Sequence, residues 1–278
     1  MIRTLTTVLL WLVINEGQQP QLTHWCVMHP DQRAASAILC PICRMPMVPI
    51  PPMKVGEYRI DVAPLRTARA AGLTGVRLTL REPTGAAVTA VDTVHEKPLH
   101  VFIVSHDFGF FRHVHADSMK DGVAEVRTVI PPGEYMLIAD FVPTGGVPQL
   151  VHRTLLSPGV KPAPARLPAA GIGGGVRARA VSNALQVGGE TKVRIVLTGE
   201  KDGRPILDLE PYLGAAAHLL LVNESLTESV HAHAAEWTAV EPVLSFDITV
   251  LRAGTWRAFL QFQRAGAVAT VPMSFLGR

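Results

Sequence analysis

Thiols, thioethers and imidazoles crowd one short window of the chain. His24-Trp25-Cys26-Val27-Met28-His29-Pro30 is followed by Cys40-Pro41-Ile42-Cys43-Arg44-Met45-Pro46-Met47, and these two stretches hold all three cysteines of the 278 residues. Cys40 and Cys43 form a CxxC pair able to present two thiolates to one ion from a single turn, with Cys26 supplying a third. Met28, His29 and Met45 complete a soft donor set, and thioethers beside thiolates favour Cu(I), with zinc and silver as the alternative ions. Methionine is ordinarily core filler. Here, however, four of the eight methionines, at positions 28, 45, 47 and 53, fall in a segment too rich in proline to build a core. Two other readings stay open: a redox CPxC pair, which would need a surrounding βαβ pattern that is absent, and a structural disulfide that leaves one odd cysteine.

The text Cys26-Val27-Met28-His29-Pro30, then Cys40-Pro41-Ile42-Cys43-Arg44-Met45-Pro46-Met47-Val48-Pro49, resembles the small heavy-metal-binding domain of copper and silver transporters and periplasmic efflux adaptors. That family reads roughly YxCPMHP, a gap, then CPxCGMxLVP. The resemblance implies a metal ion as ligand and a membrane metal-efflux or delivery protein as partner. It covers about thirty residues and departs from the pattern twice. Val27 stands where the family has proline, and Arg44 where it has a glycine whose positive φ turns the backbone toward the ion. An arginine adopts that conformation only at a cost.

A second set of donors lies in the body, which is duplicated. Residues 99–105 match residues 217–223 at an offset of 118, and His113-Val114-His115-Ala116 matches His231-Ala232-His233-Ala234 at the same offset. Residues 133–141 match 254–262 at an offset of 121, and residues 76–80 match 193–197 at 117. Six of the eleven histidines therefore occupy repeated positions: His100, His113, His115, His218, His231 and His233. An HxH pair on a strand puts both imidazoles on one face, about 7 Å apart at the backbone. If residues 99–105 and 113–116 are arms of a hairpin, His100 joins the pair diagonally when the register parity suits. Three neutral imidazoles on one sheet face bind Cu(II) or Zn(II). A duplicated buried histidine that only hydrogen-bonds a carbonyl is an equally good account of the repetition. His106 aligns with Glu224, and His95 and His152 have no repeated partner, so these three are not expected to be ligands.

The elements that must carry these residues read as all-β. Residues 76–80, 99–105, 123–130 and 134–141 are short apolar or alternating runs bounded by Gly, Pro and Asp, and helical periodicity is absent. The expected fold is mainly β: two tandem immunoglobulin- or cupredoxin-like β-sandwiches of roughly seven strands each, preceded by the small Cys/Met-rich module. The expected divisions are a signal peptide or short anchor at 1–20, the module at 21–52, the first sandwich at 53–157, a Pro/Ala/Gly linker at 158–175 and the second sandwich at 176–278. Arg3 followed by a short apolar run over residues 5–14 has the shape of a secretory signal, which implies a periplasmic or otherwise extracytoplasmic address. The body resembles uncharacterised secreted bacterial proteins that accompany heavy-metal-binding modules.

Charged residues make up only 18% of the chain and the net charge is +3, with no basic run, which argues against a nucleic-acid partner. No GxSxG, HExxH or phosphate loop occurs, and neither sandwich has a cysteine for a blue-copper site, so no catalytic residues are expected. The expected function is extracytoplasmic binding of a heavy metal, copper first, in buffering, delivery or resistance. The alternative is a non-catalytic adaptor of a membrane efflux assembly whose sandwiches only contact other proteins.

Overall fold

The computed structural model describes residues 23–29, 32–49, 57–66, 71–160, 171–234, 237 and 240–278. The expected leader at 1–20, Met53 and most of the linker lie outside the described residues. No helix among the described residues is long and apolar enough to cross a membrane. The described residues are all-β, as their patterning predicts: a small three-stranded module and two β-sandwiches.

In the module, His24–Trp25 pairs with Arg33–Ala34 on one side and Val48–Pro49 on the other. Part of the proline-rich stretch thus completes the module sheet. In the first sandwich one sheet runs in the order Arg59–Leu65, Leu73–Arg81, Val123–Ile130, Met119–Lys120, and the other Gln149–Ser157, Gly133–Pro143, His100–Ser105, Phe111–His115. The second sandwich repeats this plan. Val176–Ala180, Glu190–Gly199 and Val243–Thr249 form one sheet, and Ala267–Gly277, Gly254–Arg264, His218–Asn223 and Ser229–His233 the other. Each inner face builds its own core, Val76, Leu78, Ile103 and Leu137 in the first copy, Ile195, Phe246, Leu221 and Trp256 in the second. Burying each such side chain stabilises by roughly 1.5–3 kcal/mol. An anchoring bond recurs with the repeat: Tyr135 Oη donates to Pro131 O at 2.8 Å, and Trp256 Nε1 to Arg252 O at 3.2 Å.

The strands His100–Ser105 and His218–Asn223 are buried along their whole length. Their unbroken apolar text follows from burial on both faces. Alternation sends Val101 and Ile103 into the first sandwich's core, while Phe102 and Val104 point outward and pack with Leu220, Val222 and Phe259 of the second sandwich. Phe111 stacks on Phe259 at 4.2 Å with 7° between ring planes. The two sandwiches therefore close face to face through the sheets that carry the repeated histidines.

Candidate metal centres

Each repeated histidine trio is assembled by one hairpin and the turn before it. His100 lies directly opposite His115, and Phe102 opposite His113. In the second copy His218 lies opposite His233, and Leu220 opposite His231. His113 is thus the diagonal neighbour of His100, and both HxH pairs share one sheet face with the first histidine of the hairpin. In each copy the three ligand atoms all lie within 4.8 Å of one another. In the first trio, His100 Nδ1, His113 Nε2 and His115 Nε2 are separated by 3.0 to 3.2 Å. A metal about 2.0–2.1 Å from three imidazole nitrogens requires nitrogens roughly 3.3 Å apart.

The outer hydrogen bonds fix which nitrogens are bare. His100 Nε2–H donates to the carbonyl of Val94 at 2.9 Å, and His218 Nε2–H to the carbonyl of Tyr212 at 2.9 Å, the equivalent position of the repeat. His113 Nδ1–H donates to Gln261 Oε1 at 2.8 Å, an orientation set by the Gln261 amide, whose nitrogen donates to Thr270 Oγ1. His231 Nδ1–H donates to Asp140 Oδ2 at 2.6 Å. A neutral imidazole that donates from one nitrogen keeps a lone pair on the other. Consequently His100 Nδ1 and His113 Nε2 face each other as lone pairs at 3.2 Å, and His218 Nδ1 and His231 Nε2 at 3.3 Å. In the first trio a proton on His115 Nε2 can sit between them. In the second, both nitrogens of His233 are buried without a hydrogen-bond partner.

Burial, reinforced by neighbouring imidazoles, holds the rings neutral. It pushes His115 down to about 3 and His218 to about 4, and lowers His113, His231 and His233 well below the ordinary 6.5. Neutral imidazole is the ligating form. Burial also raises Asp140 to about 6, a shift that electrostatic interaction with the nearby His100 ring partly offsets.

His95, set aside on the repeat argument, belongs to this region. Its ring stacks on His233 at 3.4 Å and lies 5.5 Å from His218 and 6.3 Å from His100, and burial drives its pKa down to about 2. It sits on a two-residue turn with φ of 49° at His95 and 65° at Glu96, where the second copy has Leu213 and Gly214 at 50° and 70°. Such turns require positive φ at both central residues. His106 is exposed, and His152 hydrogen-bonds Ser229 at 2.8 Å across the domain interface.

In the module, Cys26, His29, Cys40 and Cys43 converge with all ligand atoms within 4.8 Å. Cys26 Sγ is 3.5 Å from Cys43 Sγ, and His29 Nδ1 is 3.7 Å from both Cys26 Sγ and Cys40 Sγ. These separations approach the roughly 3.5–3.8 Å edges of a tetrahedral site with sulfur at about 2.3 Å. The thiols are free, and a 3.5 Å separation is not a disulfide. The hydrogen bond between Cys26 and Cys43 raises the Cys26 thiol, which burial raises further, and lowers that of Cys43. The chain turns there with Arg44 N donating to Cys40 O at 2.8 Å and with Arg44 at φ 61°, the glycine-favouring conformation. Met28 and Met45 are not among the four grouped donors. They pack with Trp25, Val27 and Val142, Met28 also touching the Cys26 and Cys40 cluster.

Access differs between the two trios. His113 and His115 line an open cleft of about 710 Å³ with Lys97, Lys120, Glu125 and Arg127. A cavity of about 180 Å³ lies between the module and the second trio, bounded by Met28, His29 and Cys43 on one side and His231, His233 and Asp247 on the other.

The architecture is that of a tandem β-sandwich protein with an N-terminal Cys/His module. Residues 172–276, nearly the whole second sandwich, match a family described as Domain of unknown function (DUF8832). No curated protein matches the chain in sequence. Among solved structures, the chain is similar to FdeC, an Escherichia coli adhesin, at 17% identity over 80% of this chain and 64% of that one, TM-score 0.27. It is similar to a 1.5-MDa bacterial ice-binding adhesin at 11% identity, 79% and 63% coverage, TM-score 0.25. The fibronectin(III)-like modules of Clostridium thermocellum CbhA match at 14% identity, 80% and 93% coverage, TM-score 0.23. The chain thus spans under two thirds of the two adhesin chains. The likeness is one of fold class alone.

Proposed function

We propose that the chain is an extracytoplasmic heavy-metal-binding protein, acting in metal buffering, delivery or resistance, with copper as the ion its donors suit best. The observation that carries this reading is the second trio, where two lone pairs meet at 3.3 Å beside an imidazole with no hydrogen-bond partner. A buried polar cluster left in that state is costly, and a cation among the three nitrogens satisfies it. The module supports the same reading with three sulfurs and one imidazole at tetrahedral spacing. Thiolates suit Cu(I), silver or zinc, whereas imidazoles suit Cu(II) and Zn(II). The extracytoplasmic address rests on the apolar leader.

The test is metal stoichiometry of the purified full chain under reducing conditions with Cu(I), Ag(I) and Zn(II). Cu(I) and silver are expected to fill the module, and zinc the module and both trios. Absence of bound metal at micromolar concentrations would sink the proposal.

A further inference from the structure

Asp140 and Gln261 occupy the same position of the repeat. Asp140 pairs in register with His100, and Gln261 with His218. Each side chain nonetheless serves the other domain: Asp140 accepts from His231 at 2.6 Å, and Gln261 from His113 at 2.8 Å. The imidazole rings also meet across the interface. His113 lies 5.8 Å from both His218 and His231, and His100 lies 5.7 Å from His231. Those separations barely exceed the 5.4 Å between His100 and His113 and the 5.5 Å between His218 and His231 inside each trio. Phe102 sits between the sets, stacked on His113 at 4.2 Å and edge-on to His231 at 4.8 Å.

We propose that the two histidine trios form one dinuclear centre for borderline divalent ions, in which each sandwich positions a metal ligand of the other through a crossed outer hydrogen bond. The inference rests on the proposed metal-binding function and deepens it: each sandwich supplies its own three ligands, but one ligand of each trio, His113 or His231, takes its outer hydrogen bond from the other sandwich. A carboxylate acceptor raises the basicity of its histidine more than an amide does. The His218, His231 and His233 trio, served by Asp140, is therefore the tighter of the two, and the trio served by Gln261 is the weaker. Asp140 and Gln261 are positioning residues that touch no metal.

The test uses Co(II) on the full chain. Thiolate-bound Co(II) is recognised by its sulfur charge-transfer band, and ligating histidines by paramagnetic shifts of their ring protons. Once the module is filled, the next equivalent is expected on His218, His231 and His233. In Asp140→Asn that preference falls about 10–100-fold, so the ion moves to His100, His113 and His115. In Gln261→Ala the first trio weakens by a similar factor while the second is unchanged. A second readout needs no substitution: chains holding two Cu(II) ions in the body show dipolar coupling in electron paramagnetic resonance that half-loaded chains lack. If each substitution weakens only the trio of its own sandwich, or the doubly loaded spectrum is the sum of two isolated ions, the crossed centre is overturned while metal binding stands. No Co(II) on any histidine would overturn the centre together with the imidazole part of the proposed function.

Discussion

His100 Nδ1 and His113 Nε2 lie 3.2 Å apart, each with its other nitrogen committed as a donor, to Val94 in one case and to Gln261 of the opposite sandwich in the other. Two lone pairs at that distance repel unless a proton or a metal lies between them. A metal present at 100 times its dissociation constant stabilises the folded state by about 2.7 kcal/mol. For a chain of this size that corresponds to roughly 5–10 °C in melting temperature. Thermal unfolding with and without Zn(II) measures it. The shift should shrink when His113 and His231 are both replaced by alanine, and an undiminished shift would place the zinc elsewhere.

Acid should destabilise the metal-free protein. His115, His218 and His95 have folded pKa values of about 3, 4 and 2 against an ordinary 6.5. Between those values the unfolded chain binds protons that the folded one does not, so stability is lost as pH falls below 6.5. Asp140, raised from 3.8 to about 6, works in the opposite direction over that interval, but it is one group against several. Denaturant midpoints measured from pH 7.5 to 4.5 should fall continuously, and metal affinity should fall with them because protons compete for the same nitrogens.

Arg44 holds φ 61° at the end of the CxxC turn. The left-handed conformation costs a non-glycine residue about 1–2 kcal/mol, while a glycine loses roughly 0.5–1 kcal/mol more in chain entropy. Arg44→Gly should therefore stabilise the module by about 0.5–1 kcal/mol. Chemical denaturation followed by the fluorescence of Trp25, against a reference variant lacking the other tryptophans, reads this out. A loss of stability would mean that the arginine side chain contributes more than its backbone costs.

His95→Leu places in the first copy the residue that the second copy has at Leu213. It removes the ring stacked on His233 at 3.4 Å and leaves the first trio's hydrogen bonds in place. Affinity for metal at the second trio should fall about tenfold, in line with losses of groups that orient a ligand, while the first trio is unchanged. Calorimetric titration of each site separates the two, and equal losses at both would show that His95 serves the whole cluster.

The duplicated sandwich and the six repeated histidines were legible because a strand has period two and the repeat carried each histidine with its flanking apolar text. Arg44 holds its positive φ at the position where the heavy-metal-binding pattern that this segment resembles has a glycine, although the sequence offered it only as a conformation an arginine adopts at a cost. Closure of the two sandwiches was only latent: strands His100–Ser105 and His218–Asn223 are apolar at nearly every position, the mark of burial on both faces, but nothing in the pattern says which surface covers the second face. Asp140 and Gln261 were matched as part of a strand repeat, and their crossed hydrogen bonds depend on that closure. His95 was not legible as a member of the cluster because its equivalent in the second copy is Leu213, and its stacking on His233 exists only once the two sandwiches close. The thioethers of Met28 and Met45 suit a soft ion, whereas their packing against Trp25 and Val142 depends on how the module docks.

X-ray absorption at the zinc edge of the fully loaded chain reads the proposed ligand sets of all three sites at once. Metal in the module and in both trios gives one sulfur-rich site with scatterers at about 2.3 Å and two imidazole sites with nitrogen at about 2.0–2.1 Å, an average of roughly one sulfur per zinc with strong imidazole multiple scattering. A shell of sulfur alone, or of oxygen without imidazole, would contradict those ligand sets.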